Sequence, residues 1–146
     1  MILLLFLFIP IFLEGSQKAY VSIFIGAILS LLVAFPHELL HAICFKEDVY
    51  LFTNLKQGML FVAGPEDMSK LRFVFMSLFP NIILGFIPYL IFLLNPTLLL
   101  LGVFGALNIA SGSGDYLNVF NAITQMPKGA RTYLHHFNSY WYIPEE

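Results

Sequence analysis

His37, Glu38 and His41 stand in the run His37-Glu38-Leu39-Leu40-His41, and their spacing is one that chemistry can use. On a helix, residues four apart emerge on one face, a turn apart. Two imidazoles placed so can bind one zinc ion, each nitrogen at about 2.0–2.1 Å. Glu38 follows His37 by about 100° of helical rotation. Its carboxylate then faces a water on the metal rather than the metal itself, which is the position of a general base. A catalytic zinc takes three protein ligands and keeps a fourth position open. Asp115, in Ser111-Gly112-Ser113-Gly114-Asp115-Tyr116, is the candidate third ligand.

These four residues lie in apolar surroundings, where an ionisable side chain costs several kcal/mol and is a functional candidate by default. Zinc would lower the pKa of its water towards about 7. Glu38 would take that proton and pass it to a leaving amine, so the reaction expected is peptide-bond hydrolysis. Asn81 and Asn108 are polar groups within apolar helices that could contact the oxyanion or the substrate. Helix–helix hydrogen bonding is the commoner reason for such an asparagine.

The elements that must position these residues are apolar. The chain has 146 residues, of which 59% are hydrophobic and 11% charged, with a mean hydropathy of +0.82. A soluble domain carries about 25% charged residues, so lipid rather than water must clothe most of this surface. Seven Lys and Arg without a basic cluster argue against nucleic-acid binding. The single cysteine, Cys44, excludes an internal disulfide.

Four apolar stretches are expected to form an all-α bundle of about four transmembrane helices in one domain, residues 1–146. They cover residues 2–13, 19–45, 73–94 and 97–123. The first lacks the basic start and cleavage site of a signal peptide. At twelve residues it is short for a span, which needs about 20, so it reads as a thin or re-entrant first segment. The other three are long enough to cross about 30 Å of hydrocarbon.

Lys46, Lys56, Lys70, Arg72, Lys128 and Arg131, six of the seven basic residues, fall on one side of this topology. The positive-inside rule makes that side the cytoplasm. His37 and Asp115 each precede a span end on that side by eight residues, about 12 Å of helix. Ser111, Gly112, Ser113 and Gly114 would let the two helices approach closely. Between the second and third spans, residues 49–53 and 59–62 are β-prone around a turn. They read as a small hairpin or an interfacial loop. In the tail, Tyr133, Phe137, Tyr140, Trp141 and Tyr142 suit an interfacial belt, and His135 and His136 read as solvated.

His37-Glu38-Leu39-Leu40-His41 in one helix with Gly114-Asp115 in a later one resembles the site-2-protease type of intramembrane metalloprotease. More closely, the chain resembles the DUF3267 family of zincin peptidases, through Pro36-His37-Glu38, Gly114-Asp115 and Pro127-Lys128-Gly129-Ala130. That resemblance implies Zn2+ bound by His37, His41 and Asp115, with Glu38 as catalytic acid/base. Asn108 lies seven residues before Asp115 without a neighbouring proline, unlike the site-2-protease motif. The expected substrate is the transmembrane or juxtamembrane part of another protein. Two other readings use the same residues: a non-catalytic zinc site in a membrane protein, and a proton- or ion-translocating protein. Glu38 argues against the first, since a structural site gains nothing from an extra acid beside the metal. Three full-length spans with no inverted repeat argue against the second.

Overall fold

The computed structural model describes residues 15–54, 59–135 and 138–145. The expected first segment at 2–13, together with Lys56, His136 and Phe137, lies outside these residues. In chain order the elements are helices α1 (Gln17–Leu32) and α2 (Ala34–Ala42), then strands β1 (Tyr50–Asn54), β2 (Met59–Ala63) and β3 (Met68–Ser69). Helix α3 (Lys70–Asn81) runs through a π-helical turn, Ile82–Phe86, into α4 (Ile87–Leu94). Helices α5 (Leu99–Ser111) and α6 (Ser113–Gln125) and strands β4 (Arg131–His135) and β5 (Asn138–Tyr142) follow. The chain is therefore mostly helical, with two small antiparallel sheets.

Continuous helices were expected where α1 and α2, and α5 and α6, each have a break. The first break falls at Val33. Pro36 explains it. A proline has no N–H to donate four residues back, and its ring crowds the carbonyl there, here that of Leu32. The helix stops at Leu32, and Pro36 lies in the first turn of α2, where its missing N–H is no loss. The second break is at Gly112, where a Cβ would fall 1.8 Å from the Asn81 Oδ1. Only glycine fits against that side chain. In both cases a new helix begins just before a candidate ligand.

The described residues divide into two compact groups, one of residues 15–34 with Asn81–Ser113, the other of Phe35–Pro80 with the chain from Gly114 onward. In the first, Tyr89, Phe92, Leu99, Val103 and Ala106 form the core, with Ala19, Ile23 and Ala27 of α1 packed against it. Glycine lets the backbones meet: a Cβ at Gly26 would sit 2.9 Å from the Leu100 carbonyl oxygen, and one at Gly105 2.6 Å from the Tyr89 nitrogen.

The second group is organised around Met68, Phe73, Met76, Ala122, Met126 and Ala130. Strands β1 and β2 form the expected hairpin, with Tyr50 opposite Ala63 and Leu51 opposite Val62. The tail, expected to supply an interfacial aromatic belt, pairs as a sheet in the order β3-β4-β5. Tyr133 stacks on Tyr140 across β4 and β5, with ring centroids 5.8 Å apart.

Among the described residues, Lys70–Leu94 is one 25-residue helix long and apolar enough to cross a membrane, with hydropathy 2.0. Gln17–Leu32 with Ala34–Ala42 passes the same test as a broken pair, and Leu99–Ser111 is apolar but shorter.

Candidate metal centre

Two short helices build the site. His37, Glu38 and His41 lie on α2, and Asp115 lies in the first turn of α6, where the helix dipole favours an acid. The His37 and His41 rings are 4.9 Å apart between centroids, inclined at 74°. Ligand atoms of His37, Glu38 and His41 all lie within 4.8 Å of one another. Asp115 joins them: its Oδ2 is 3.2 Å from His37 Nε2 and its Oδ1 is 3.3 Å from His41 Nε2. The three side chains are largely buried, 9–16% exposed.

The donor set fits zinc. Ligand atoms held at about 2.0–2.1 Å on a tetrahedron lie about 3.3–3.4 Å from each other, close to the two imidazole–carboxylate separations found here. The second argument is the tautomer of His41. Its Nδ1 lies 2.9 Å from the Met76 carbonyl oxygen. A carbonyl only accepts, so Nδ1 carries the proton and donates it. In a neutral ring Nε2 then presents a lone pair towards a carboxylate oxygen. Such an arrangement is favourable only with a cation or a proton between them. Histidine ligands of metals are typically held in this way, through the other ring nitrogen.

Glu38 faces both the imidazoles and the hairpin. Its Oε2 accepts a hydrogen bond from the Val62 N–H at 2.9 Å. That contact brings the hairpin to the candidate base. Behind the helix, Arg72 donates to the Cys44 carbonyl at 2.8 Å and pairs with buried Glu66, which also accepts the Lys46 N–H at 2.6 Å. The end of α2 is therefore fixed to the start of α3. Arg72 and its hydrogen bond hold the Glu66 carboxyl below its ordinary value of 4.5.

Asn81 and Asn108 belong to the other compact group. Asn108 donates to the Phe104 carbonyl of its own helix at 2.7 Å, and Asn81 is fully buried. Three features escaped the sequence reading: the Val62 N–H, the Met76 carbonyl and the Glu66–Arg72 pair. The first two are backbone atoms with no letter of their own. Pro80, four residues after Met76, was the available signal for the second.

The family model of DUF3267, whose description is "Putative zincin peptidase", matches residues 29–131, and the chain belongs to that family. The family implies Zn2+ as the cofactor. No curated protein and no solved structure matches the chain.

Proposed function

We propose that the protein is an intramembrane zinc metalloprotease that cleaves a peptide bond in or near a transmembrane segment of another protein. The observation carrying this reading is the convergence of His37, His41 and Asp115, with Glu38 on the same helix as the imidazoles. The two imidazole–carboxylate separations are close to the ligand spacing of a tetrahedral site, and the family is one of zincin peptidases.

Zinc held by His37, His41 and Asp115 would supply a Lewis acid that acidifies water and polarises a carbonyl. The chain's own residues do the rest. His41 is held by Met76 with Nε2 forward, and Asp115 offers one oxygen to each imidazole. Glu38 accepts the proton of the attacking water as its oxygen adds to the scissile carbonyl carbon. It then delivers that proton to the amine nitrogen as the C–N bond breaks. The outer edge of β2 offers an extended peptide a place to add as a strand, with the Val62 N–H exchanging its Glu38 acceptor for a peptide carbonyl. A peptide there would run beside the base.

The membrane setting is supported by the surface. Phe24, Leu31 and Leu94 are 67%, 78% and 87% exposed, among many large apolar side chains left uncovered, and apolar surface in that quantity favours contact with lipid or protein. The basic residues beside the helix ends support a site nearer the cytoplasmic face.

The test separates metal binding from chemistry. Purified wild type should carry zinc, and Asp115→Ala and His41→Ala should lose it. Glu38→Gln should keep zinc and lose cleavage of a membrane-embedded substrate by about 10²–10⁴-fold, the usual worth of a general acid–base group. Full cleavage by Glu38→Gln would remove the proposed mechanism, and zinc retained in Asp115→Ala would remove the ligand set.

A further inference from the structure

Pro80 stands inside α3, fully buried. A proline in a helix interior ordinarily costs about 3 kcal/mol, so its presence there calls for a reason. Four residues earlier is Met76, whose carbonyl would normally accept the N–H of residue 80. Pro80 has no N–H, and its ring tilts that carbonyl off the helix axis. The same carbonyl is the acceptor for His41 Nδ1 at 2.9 Å.

We infer that Pro80 is a positioning residue for the metal centre: by withholding a backbone hydrogen bond it leaves the Met76 carbonyl to orient His41. The chain of contacts is short. Pro80 frees the carbonyl, the carbonyl takes the Nδ1–H, and Nε2 is thereby turned to Asp115, 3.3 Å away. A second contact keeps the approach in register. Arg72, one turn before Met76 on α3, donates to the Cys44 carbonyl one turn beyond His41. Two hydrogen bonds a turn apart on each helix fix both the position and the rotation of the end of α2. The role assigned to Pro80 rests on the metal reading above, and goes beyond it by naming a residue that touches neither metal nor substrate.

The prediction has an unusual sign. Pro80→Ala restores an N–H and a regular helical bond to Met76, so the metal-free protein should be as thermally stable as the wild type or more so. Its zinc affinity should nevertheless fall by about 10–100-fold, the usual effect of losing a group that orients a ligand. The visible spectrum of the Co2+-substituted protein should change, because the coordination geometry does. A proline needed only for packing would give the opposite pattern: lower stability with unchanged zinc affinity and an unchanged Co2+ spectrum. That result overturns the inference. Wild type that binds no zinc would defeat the metal reading itself, whereas zinc-binding wild type with unaltered Pro80→Ala defeats only the role of Pro80. Should the variant not fold, nitrogen NMR of the wild-type His41 ring decides. A proton on Nδ1 supports the inference, and a bare Nδ1 overturns it.

Discussion

Val62 turns its N–H away from β1 and towards Glu38, so a backbone atom touches the candidate base. In an antiparallel pair, alternate residues direct their N–H and carbonyl groups to opposite sides. Val62 sits opposite Leu51 in a pair that leaves its N–H outward. Proline is therefore tolerable at position 62, since it deletes a donor that β1 does not use. Val62→Pro should retain zinc and raise KM for an extended peptide by roughly 2–12-fold, the worth of one net hydrogen bond of about 0.5–1.5 kcal/mol. Val62→Ala keeps the N–H and should behave as wild type. Matching kinetics for the two variants would rule out strand addition at this edge. The four ionisable residues of the centre were legible in the sequence because their chemistry resides in side chains at a fixed spacing. Val62 and Met76 act through main-chain atoms, which any residue type would supply, and only the fold decides which of them meet Glu38 and His41.

Helix ends, rather than helix centres, carry the site. The sequence reading expected single helices through Val33 and Gly112, and apolar composition supports that expectation, since hydropathy does not register hydrogen bonds. Pro36 lies in the first turn of a second helix, and the two helices meet at a 45° bend, because the Leu32 carbonyl has no N–H to accept from residue 36. The Ser-Gly-Ser-Gly run at 111–114 is expected to bring the two ligand helices close; Gly112 instead packs on Asn81, and a Cβ at Gly114 would meet nothing within 4 Å. What holds the α2 end is the loop ahead of α3. Glu66 is 8% exposed, and its carboxyl is held below 4.5 by Arg72. A carboxyl with a lowered folded-state pKa adds stability that is present above its unfolded value and lost as pH falls through the folded value. Thermal stability should thus decline as pH is lowered below about 4.5. Glu66→Gln should remove that part of the decline and cost about 1.5–3 kcal/mol at neutral pH, as hydrogen bonds to charged groups do. Melting curves of the two proteins across this range check it, and an identical acid response would exclude Glu66 as a contributor. On the other ligand helix, Lys70 caps the Ile123 and Met126 carbonyls at 3.1 and 2.9 Å. The first turn of α3 therefore serves both α2 and α6.

At the scale of the molecule, the solvent that faces the helices decides where a substrate lies. Low charge content points to a membrane from composition alone, and the described residues hold one helix, or two with the broken pair, apolar and long enough to cross one; the hairpin was legible from its β-prone runs. The sheet of β3, β4 and β5 was not, because Tyr133, Tyr140 and Tyr142 serve equally well as membrane anchors and as cross-strand pairs, and composition does not separate the two. Lys70–Leu94 is the strongest candidate to cross, since 25 helical residues span about 37 Å at 1.5 Å per residue. Its two ends then lie on opposite faces. Cys44 is the sole cysteine, so replacing it gives a background for site-directed labelling. In a Cys44→Ala background, Glu47→Cys before the helix and Pro96→Cys after it should react with a membrane-impermeant maleimide from opposite sides. Glu47 belongs to the side rich in Lys and Arg, so its cysteine variant should be shielded in intact cells and labelled once the cytoplasmic face is opened. Pro96→Cys should label in intact cells. Labelling of both positions from one side would mean that the helix does not cross, and would move the proposed substrate out of the bilayer while leaving the metal chemistry of His37, His41 and Asp115 intact.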